Sequence, residues 1–295
     1  MVNEVVGNGS ANTGSAPVVT HVPYKPTIRY YQLIWMTMSG SHRLWSHRAY
    51  KAKLPLRIIL MIIQTLGFQS NIYKWARDHR LHHKHSDTDA DPHNSRRGFF
   101  FSHVGWLLYM KHPAALAQGK TIDLSDLLAD PVVRFQSRYF TWLVIFVWGL
   151  MPVCVPHWLW AESVSNAWFV CVMLRYAISL NTTFLINSAA HMYGMKPYDK
   201  NIASVEANVR QFMVGEGFHN YHHTFPNDYS ASELGAIDSF NPQTAFIDMF
   251  AAIGWAYDLK KPSIDVVKSR RNRSGDNHYK PFRWWLSEHI IGILG

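Results

Sequence analysis

The chain contains only two cysteines in 295 residues, Cys154 and Cys171, and both lie inside apolar stretches. Two such cysteines do not make a disulfide framework or a thiolate metal site. We therefore expect a reducing compartment, and buried apolar packing is the ordinary role for both side chains.

The N-terminal segment lacks the features of a cleavable signal peptide. Residues 1–22 have neither a basic region nor an apolar core, and they are rich in Gly, Ser, Asn and Val. We predict a disordered cytosolic tail over residues 1–26. The next apolar run, 27–38, is shorter than the roughly 20 residues that a bilayer span requires.

Acidic residues are scarce relative to basic ones. The chain has 20 Asp and Glu but 29 Lys and Arg, which gives a formal net charge of +9. No recognised nucleic-acid-binding motif accompanies this charge, so we expect no nucleic-acid partner. The excess suits cytosolic loops and tails that face anionic lipid. We predict that the basic stretch 263–295 is a solvated or lipid-facing tail rather than a binding site.

Two apolar runs are long enough to cross a membrane, at 139–160 and 167–190, although the second contains Arg175 and Asn181. Their short connector predicts an antiparallel hairpin. Lys and Arg flank this hairpin only on its outer sides, which are therefore predicted to be cytosolic, together with the histidine clusters. The more polar stretches 54–75 and 99–110 are predicted to lie on the membrane or under a cytosolic cap.

Three histidine clusters dominate the remaining sequence. They are His42 with His47, then His79, His82 and His83, and finally His219, His222 and His223. Residues three and four apart share one face of a helix, so each triplet is predicted to converge on a single point. Two triplets and a pair are too many ligands for one metal, and the sequence therefore predicts two metals.

Polar residues also occur at the cytosolic end of the second predicted span. Asn187 and His191 are four residues apart and share a helix face. They could be helix-end residues that simply reach the interface. We favour a metal role instead, with His191 as a ninth ligand and Asn187 as an amide that holds a metal-bound water.

The ligand set narrows the choice of metal. Nine imidazoles and a held water give two metals five or six positions each, which exceeds tetrahedral zinc and suits iron, although imidazole also binds zinc, copper and nickel. A ferritin-like site would need Glu-x-x-His on two helices, and Glu216 with His219 supplies the sole candidate. Surface histidines or a zinc site remain the alternatives.

Four strings carry a family resemblance: GSHRLWSHRAYKAKLP, WARDHRLHHKHSDTDADPHNSRRGFFFSHVGWLL, NSAAHMYGMKPYD and GEGFHNYHHTFPNDYSASELG. The chain resembles membrane-bound acyl-CoA Δ9 desaturases, especially the insect branch, from about residue 39 to 262. The resemblance implies an all-α membrane protein with a desaturase domain over 27–262. Its transmembrane helical hairpin would carry a cytosolic helical cap that holds a histidine-ligated di-iron site.

The same resemblance implies a reaction. Such enzymes take a long-chain saturated acyl-CoA, dioxygen and two electrons from cytochrome b5, which an NADH-dependent reductase keeps reduced. They leave a cis-Δ9 double bond and reside in the endoplasmic reticulum membrane, with the cap and both termini cytosolic. The family's ligands for two Fe2+ ions match the nine histidines above, and its water-holding asparagine matches Asn187.

Substrate contacts follow from the same family positions. Trp75 and Thr183 match residues of a kinked apolar tunnel, and Arg77, Asp78 and Lys111 match contacts to the CoA head. Solvated neighbours on a helix are the alternative for Arg77 and Asp78. Met110 stands where members of the family often carry arginine.

Family members have four spans, and the first two precede the first histidine cluster. Since only 41 residues precede His42, we expect this first hairpin to be missing. Two other functions therefore stay open. The chain could be an impaired shortened isoform that binds acyl-CoA or dimerises with a desaturase, or it could be a fatty-acyl hydroxylase on the same di-iron core.

Overall fold

A computed structural model describes residues 38–207, 213–233 and 241–277; the predicted N-terminal tail and the apolar run up to residue 37 lie outside the described residues. The described chain is mostly helical, as predicted. The helices are α1 (Met38–Ser46), α2 (Leu54–Gly67), α3 (Ile72–His85), α4 (Phe99–His103), α5 (Pro113–Gly119), α6 (Ser125–Ala129), α7 (Pro131–Trp160), α8 (Val164–His191), α9 (His219–Thr224), α10 (Pro242–Ala252) and α11 (Ile264–Ser274). Short 3-10 turns occupy Ser95–Arg97 and Gly105–Leu107.

Four two-residue strands tie distant segments together. They are β1 (Lys51–Ala52), β2 (Gly194–Met195), β3 (Glu206–Ala207) and β4 (Ala256–Tyr257). β1 pairs antiparallel with β4, and β2 pairs antiparallel with β3. The first pair brings the chain that follows α1 against the chain that follows α10.

Helices α7 and α8 are long and apolar enough to cross a membrane, in agreement with the two predicted spans. Only 11% and 28% of their most apolar windows are buried, whereas the core helix of a soluble protein would be mostly buried. α7 begins earlier than the predicted start at residue 139, because Pro131 starts the helix. The Asp130 carboxylate caps it by accepting the Val132 N–H at 2.9 Å, and proline fits the first helical turn.

The stretch predicted as a single element at 54–75 divides into α2 and the first turn of α3. Phe68 ends α2 in the left-handed conformation, with φ at 48°. Asn71 then starts α3 by accepting the Lys74 N–H at 2.8 Å. The main apolar core lies between α2, α7 and α10, where Leu60, Val133 and Ile247 belong to one buried cluster.

The two polar residues in the second span both bond to the chain around it. The buried Arg175 guanidinium donates to the Leu66 carbonyl at 2.8 Å, at the C-terminal end of α2 where a positive charge is favourable. The Asn181 side-chain oxygen lies 3.2 Å from His103 Nε2 on α4. These contacts explain why α8 carries polar groups that a lipid-facing helix would not.

Part of the predicted C-terminal tail is folded onto the protein. Ser263 caps α11 by accepting the Val266 N–H at 3.4 Å. Val267 on this helix is buried in a cluster with Tyr198, Phe218 and Tyr221. Residues 264–274 therefore cover the segment around α9 instead of extending into solvent.

Gln136 on α7 fixes the N-terminus of α3, the helix that carries the cluster His79, His82 and His83. This fully buried side chain accepts the Ile72 N–H at 2.8 Å and donates to Thr65 Oγ1 at 3.0 Å. We expect Gln136→Leu to cost about 1–3 kcal/mol, because the buried Ile72 N–H loses its acceptor. Thermal unfolding in detergent should show a lower transition temperature, with Gln118→Leu as the control. An unchanged transition would contradict this role.

Candidate metal centre

The nine predicted histidines come together in two adjoining groups. One group of five contains His42, His47, His79, His83 and His222. The other group of four contains His82, His191, His219 and His223. The candidate ligand atoms of each group lie within 4.8 Å of one another, so each group could hold a metal ion.

Each HxxHH triplet divides between the two groups, so the prediction that a triplet converges on one point is wrong. On α3, His79 and His83 join the group of five, while His82 joins the group of four. The α9 triplet divides in the opposite sense. An α-helix turns about 100° per residue, so i+4 points about 40° from i in one rotational sense, and i+3 about 60° from i in the other. The side chains at i and i+4 can therefore face one metal site while i+3 faces a neighbouring one.

The first histidine pair depends on a wider helical turn. Helix α1 is π-helical, and the His47 N–H donates to the His42 carbonyl five residues earlier, at 3.1 Å. In an α-helix, residues five apart point away from each other, whereas an i to i+5 bond stacks them on one side. The two rings lie 4.8 Å apart between centroids. This local geometry brings both residues into the group of five.

The shortest nitrogen separations in both groups are compatible with ligands of a shared metal ion. An imidazole nitrogen binds a first-row metal at about 2.1 Å, so two ligands lie about 3.0 Å apart at a right angle and about 3.4 Å apart at a tetrahedral angle. The Nε2 separations are 2.9 Å for His42–His222, 2.8 Å for His47–His79, 3.0 Å for His83–His222, 3.0 Å for His191–His219, 3.0 Å for His219–His223 and 3.3 Å for His82–His223. Most of these values suit right angles.

Most of these imidazoles are held neutral, which leaves their lone pairs free for a metal. Burial, reinforced by neighbouring histidines, lowers the pKa well below its usual value for His47, His79, His83, His219, His222 and His223. His82 differs, because the nearby Asp91 carboxylate outweighs the effect of burial and raises its pKa. A metal on Nε2 of His82 would replace that proton.

Three carboxylates orient histidines by contacting Nδ1, the ring nitrogen that faces away from the histidine groups. The sequence did not predict this role for any of them. Asp91 lies 2.9 Å from Nδ1 of His82, and Asp87 lies 3.0 Å from Nδ1 of His191. Carboxylates that accept from Nδ1 fix the tautomer and aim Nε2 at a metal. The acidic run directly after the second histidine cluster was the available signal for this pair.

Glu216 is the third such carboxylate, and it is not a ferritin-like ligand. Its Oε2 lies 3.0 Å from Nδ1 of His42, while its Oε1 accepts from Arg43 Nη2 at 2.7 Å. Burial would raise the pKa of Glu216, but Arg43 and His42 lower it to about 2. The fully buried Arg43 also donates to Thr244 Oγ1 at 2.8 Å and to the Asn241 side chain at 3.2 Å.

The predicted tunnel residues line one cavity of about 210 Å³. Trp75 and Thr183 form part of its wall, and Asn187 and His79 also line it. Thr183 Oγ1 accepts from Gln69 Nε2 at 2.8 Å, which joins α8 to the loop between α2 and α3. The cavity therefore reaches from these predicted wall residues to a histidine of the group of five.

The three residues predicted to bind the CoA head form one ion cluster. Asp78 Oδ1 accepts from Arg77 Nη2 at 2.8 Å, and Asp78 Oδ2 accepts from Lys111 Nζ at 2.6 Å. Asp78 also lines the cavity described above, which Arg77 and Lys111 do not. One carboxylate thus holds two cations close to the cavity.

Long exposed apolar helices and two adjoining groups of buried and half-buried histidines define a class of protein, a membrane protein with a histidine-rich candidate metal site. Within this class, residues 20–238 match the family model of the fatty acid desaturases. The chain belongs to the fatty acid desaturase family.

Curated relatives of several regiochemistries are similar to the chain. An acyl-CoA Delta-9 desaturase of Acheta domesticus is 55% identical over 83% of this chain and 68% of its own length. The stearoyl-CoA desaturase of Homo sapiens is 53% identical over 86% and 74%, respectively. An acyl-CoA Delta(11) desaturase of Spodoptera littoralis is 56% identical over 81% and 70%. Enzymes named for double bonds at different positions of the acyl chain are thus similarly identical to this chain.

Two of the three carboxylates that orient histidines, Glu216 and Asp91, make a site-specific prediction. We expect Glu216→Gln to weaken metal retention in the group of five, and Asp91→Asn to weaken it in the group of four, each by about 10- to 100-fold. Metal content per chain, measured by mass spectrometry across a chelator series, should fall in both variants. The exposed Asp265→Asn is the control. Full retention in Glu216→Gln, with circular dichroism unchanged, would disprove the role of Glu216.

Proposed function

We propose that the chain catalyses O2-dependent desaturation of a long-chain saturated acyl-CoA to the cis-Δ9 monounsaturated product. The observation that carries this proposal is the pair of adjoining histidine groups, one of which lines a cavity walled by α3 and α8. In this reaction two hydrogens leave the acyl chain as a double bond forms. Dioxygen takes them up with two further electrons and two protons, and becomes two waters.

Two Fe2+ ions are the proposed occupants of the histidine groups. The near-right-angle nitrogen spacing supports five- or six-coordinate metals, and Asn187 would complete the set by holding a water. When bound, the irons supply the oxidant that an unactivated C–H bond requires. Asp87, Asp91 and Glu216 keep three of the imidazoles aimed inward.

The protein's own contribution is to position the chain. Acid or base catalysis cannot remove hydrogen from a nonpolar methylene, and an acyl chain offers many equivalent methylenes. Trp75 and the Gln69–Thr183 hydrogen bond narrow the cavity between α3 and α8. An acyl chain in this cavity would present to the metals only the carbons that reach His79.

The ion cluster around Asp78 suits the phosphates of CoA. Arg77 and Lys111 together carry two positive charges against one carboxylate, and Asp78 holds both side chains in place. Phosphate oxygens are strong acceptors for such cations. The head group would then stay at the cavity entrance while the acyl chain extends inward.

The proposed function also implies a membrane location and an electron donor. α7 and α8 would form a transmembrane hairpin in the endoplasmic reticulum, with the histidine-bearing cap and both termini on the cytosolic side. Cytochrome b5, reduced by its NADH-dependent reductase, would deliver the electrons. The exposed apolar surfaces of both long helices support contact with lipid.

An arginine at position 110 should strengthen binding of the CoA head. The Met110 side chain is 93% exposed beside Lys111. We expect Met110→Arg to lower the KM for acyl-CoA about two- to fivefold with kcat unchanged, since an exposed ion pair contributes below about 1 kcal/mol. Initial rates across acyl-CoA concentrations would measure this, with Met110→Gln as the uncharged control. A KM equal to that of Met110→Gln would contradict head-group binding here.

Expression in desaturase-deficient yeast tests the proposed function directly. Gas chromatography of total fatty acids should show new Δ9-monounsaturated acids with the intact chain. His82→Ala should abolish them because it removes a ligand, whereas the exposed His112→Ala should retain them. The same product level with His82→Ala would refute a metal role for that residue.

Other products would identify the alternatives. Hydroxylated acyl chains would indicate a hydroxylase on the same core. Saturated acids alone, from protein verified in the membrane fraction and still able to bind acyl-CoA, would indicate a silent acyl-CoA-binding or dimerising relative.

A further inference from the structure

The C-terminal end of α11 places arginines directly before a serine. Residues 270–274 read RRNRS, and Arg271 lies three residues before Ser274. A cation at that spacing from a hydroxyl is the charge pattern by which basophilic serine kinases select substrates, because acidic groups of the kinase pair with it. The same helix contains a second serine for comparison. Ser269 has the apolar Val266 at the corresponding position.

Ser274 lies where α11 meets the β2–β3 loop, which comprises residues 196–205. Its hydroxyl donates to the Tyr198 carbonyl at 2.8 Å, and the Arg270 carbonyl also lies within hydrogen-bond distance at 3.0 Å. The Ser274 carbonyl accepts the Lys200 N–H at 2.8 Å. One residue at the end of the helix therefore holds the loop through both its side chain and its main chain.

The two residues that follow Ser274 bind the same loop. The Asp276 carboxylate accepts the Lys196 N–H at 2.6 Å, and the Asp276 N–H donates to the Lys196 carbonyl at 3.1 Å. Gly275 lies so close to the loop that a Cβ at this position would be 2.1 Å from the Pro197 carbonyl oxygen. The end of α11 is therefore closely packed against the β2–β3 loop.

The β2–β3 loop in turn supports α9. Asn220 on α9 is fully buried, and its side-chain oxygen accepts the Tyr198 N–H at 2.9 Å and the Asp199 N–H at 3.1 Å. Its side-chain nitrogen donates to the carbonyls of Asp199 and Ser204, each at 2.9 Å. A change at the end of α11 can therefore reach the helix that carries three candidate metal ligands.

We propose that Ser274 is a phosphorylation site for a basophilic serine kinase, and that the phosphate releases α11 from the β2–β3 loop. The kinase transfers the γ-phosphoryl group of ATP to Ser274 Oγ, takes up the hydroxyl proton and releases ADP. Ser274 is half-buried, so the reaction requires opening of the last helical turn, and helix ends open readily. The inference rests on the cytosolic location of the cap in the proposed function, because the kinase and ATP are cytosolic.

A phosphate on Ser274 weakens the junction for three reasons. The modified oxygen has no proton to donate to the Tyr198 carbonyl. The free carbonyls at the end of a helix carry partial negative charge, which repels the phosphate. Arg270 lies four residues earlier and pairs with Asp199. The phosphate attracts this guanidinium away from Asp199, which removes another contact between α11 and the loop.

The first test uses the full-length chain in detergent, with ATP and the catalytic subunit of cAMP-dependent protein kinase as the probe. Mass spectrometry should locate phosphate on Ser274. Arg271→Gln should lower the initial rate of its incorporation about tenfold or more, as expected for loss of one charge-assisted contact. The matched control Ser269→Ala should be phosphorylated at Ser274 like the unaltered chain. An unmodified Ser274, with a reference peptide phosphorylated in the same reaction, would overturn the proposal.

Hydrogen exchange read by mass spectrometry tests the release of α11. Amides of 264–276 and of the β2–β3 loop should exchange about fivefold or more faster in the phosphorylated chain, because a hydrogen bond is lost and the helix end is repelled. Exchange in α9 should also rise, whereas exchange in α2 should not change. Equal exchange of α11 and the loop in the phosphorylated and unmodified chains would contradict the proposed release.

Sealed endoplasmic reticulum vesicles test the location separately. Kinase added outside the vesicles should phosphorylate Ser274 without detergent. Phosphorylation that requires detergent would contradict both the cytosolic location and this proposal. A chain that is phosphorylated from outside and shows the faster exchange, but forms no unsaturated product, would contradict the desaturase function and leave the phosphorylation site standing.

Discussion

The arrangement of this protein depends on one physical constraint, the enclosure of nine buried or half-buried imidazoles whose ring nitrogens face each other at about 3 Å. Neutral lone pairs at that distance gain nothing from each other, and protonating them would crowd positive charge into a buried site. A cation at the centre of each group would relieve this arrangement. Metal binding would then be coupled to folding, because the candidate ligands come from α1, α3, α8, α9 and the residue that follows α1.

Helix α3 carries both histidines of the two groups and residues that line the cavity. Trp75 and Asp78 line the cavity on one stretch of the helix, and His79 lies at the point where cavity and histidine group meet. Gln136 holds the start of the same helix. Because these groups share one rigid element, a shift of α3 would move the acyl chain and the ligands together, which preserves their relative position.

The sequence predicted the histidines and the two apolar spans, because spacing and hydropathy are local properties. The grouping of Arg77, Asp78 and Lys111 followed from the family resemblance, since Lys111 lies 33 residues from Asp78. The sequence did not predict that each triplet divides between the two histidine groups. Helical spacing shows which residues share a face, but not how many metal sites that face contacts. The π-helical turn at His42 and His47 also departs from the α-helical period. The pairing of Glu216 with Arg43 was not predicted, because it joins positions 173 residues apart.

The same long-range pairing has a consequence for the order of events during synthesis. Arg43 and Glu216 meet only after both long helices have been made, and Arg43 also binds Thr244, 201 residues later. His42 therefore emerges from the ribosome long before the groups that orient it. The group of five can assemble only after His222 has been made, and therefore only after synthesis of both long helices, α7 and α8.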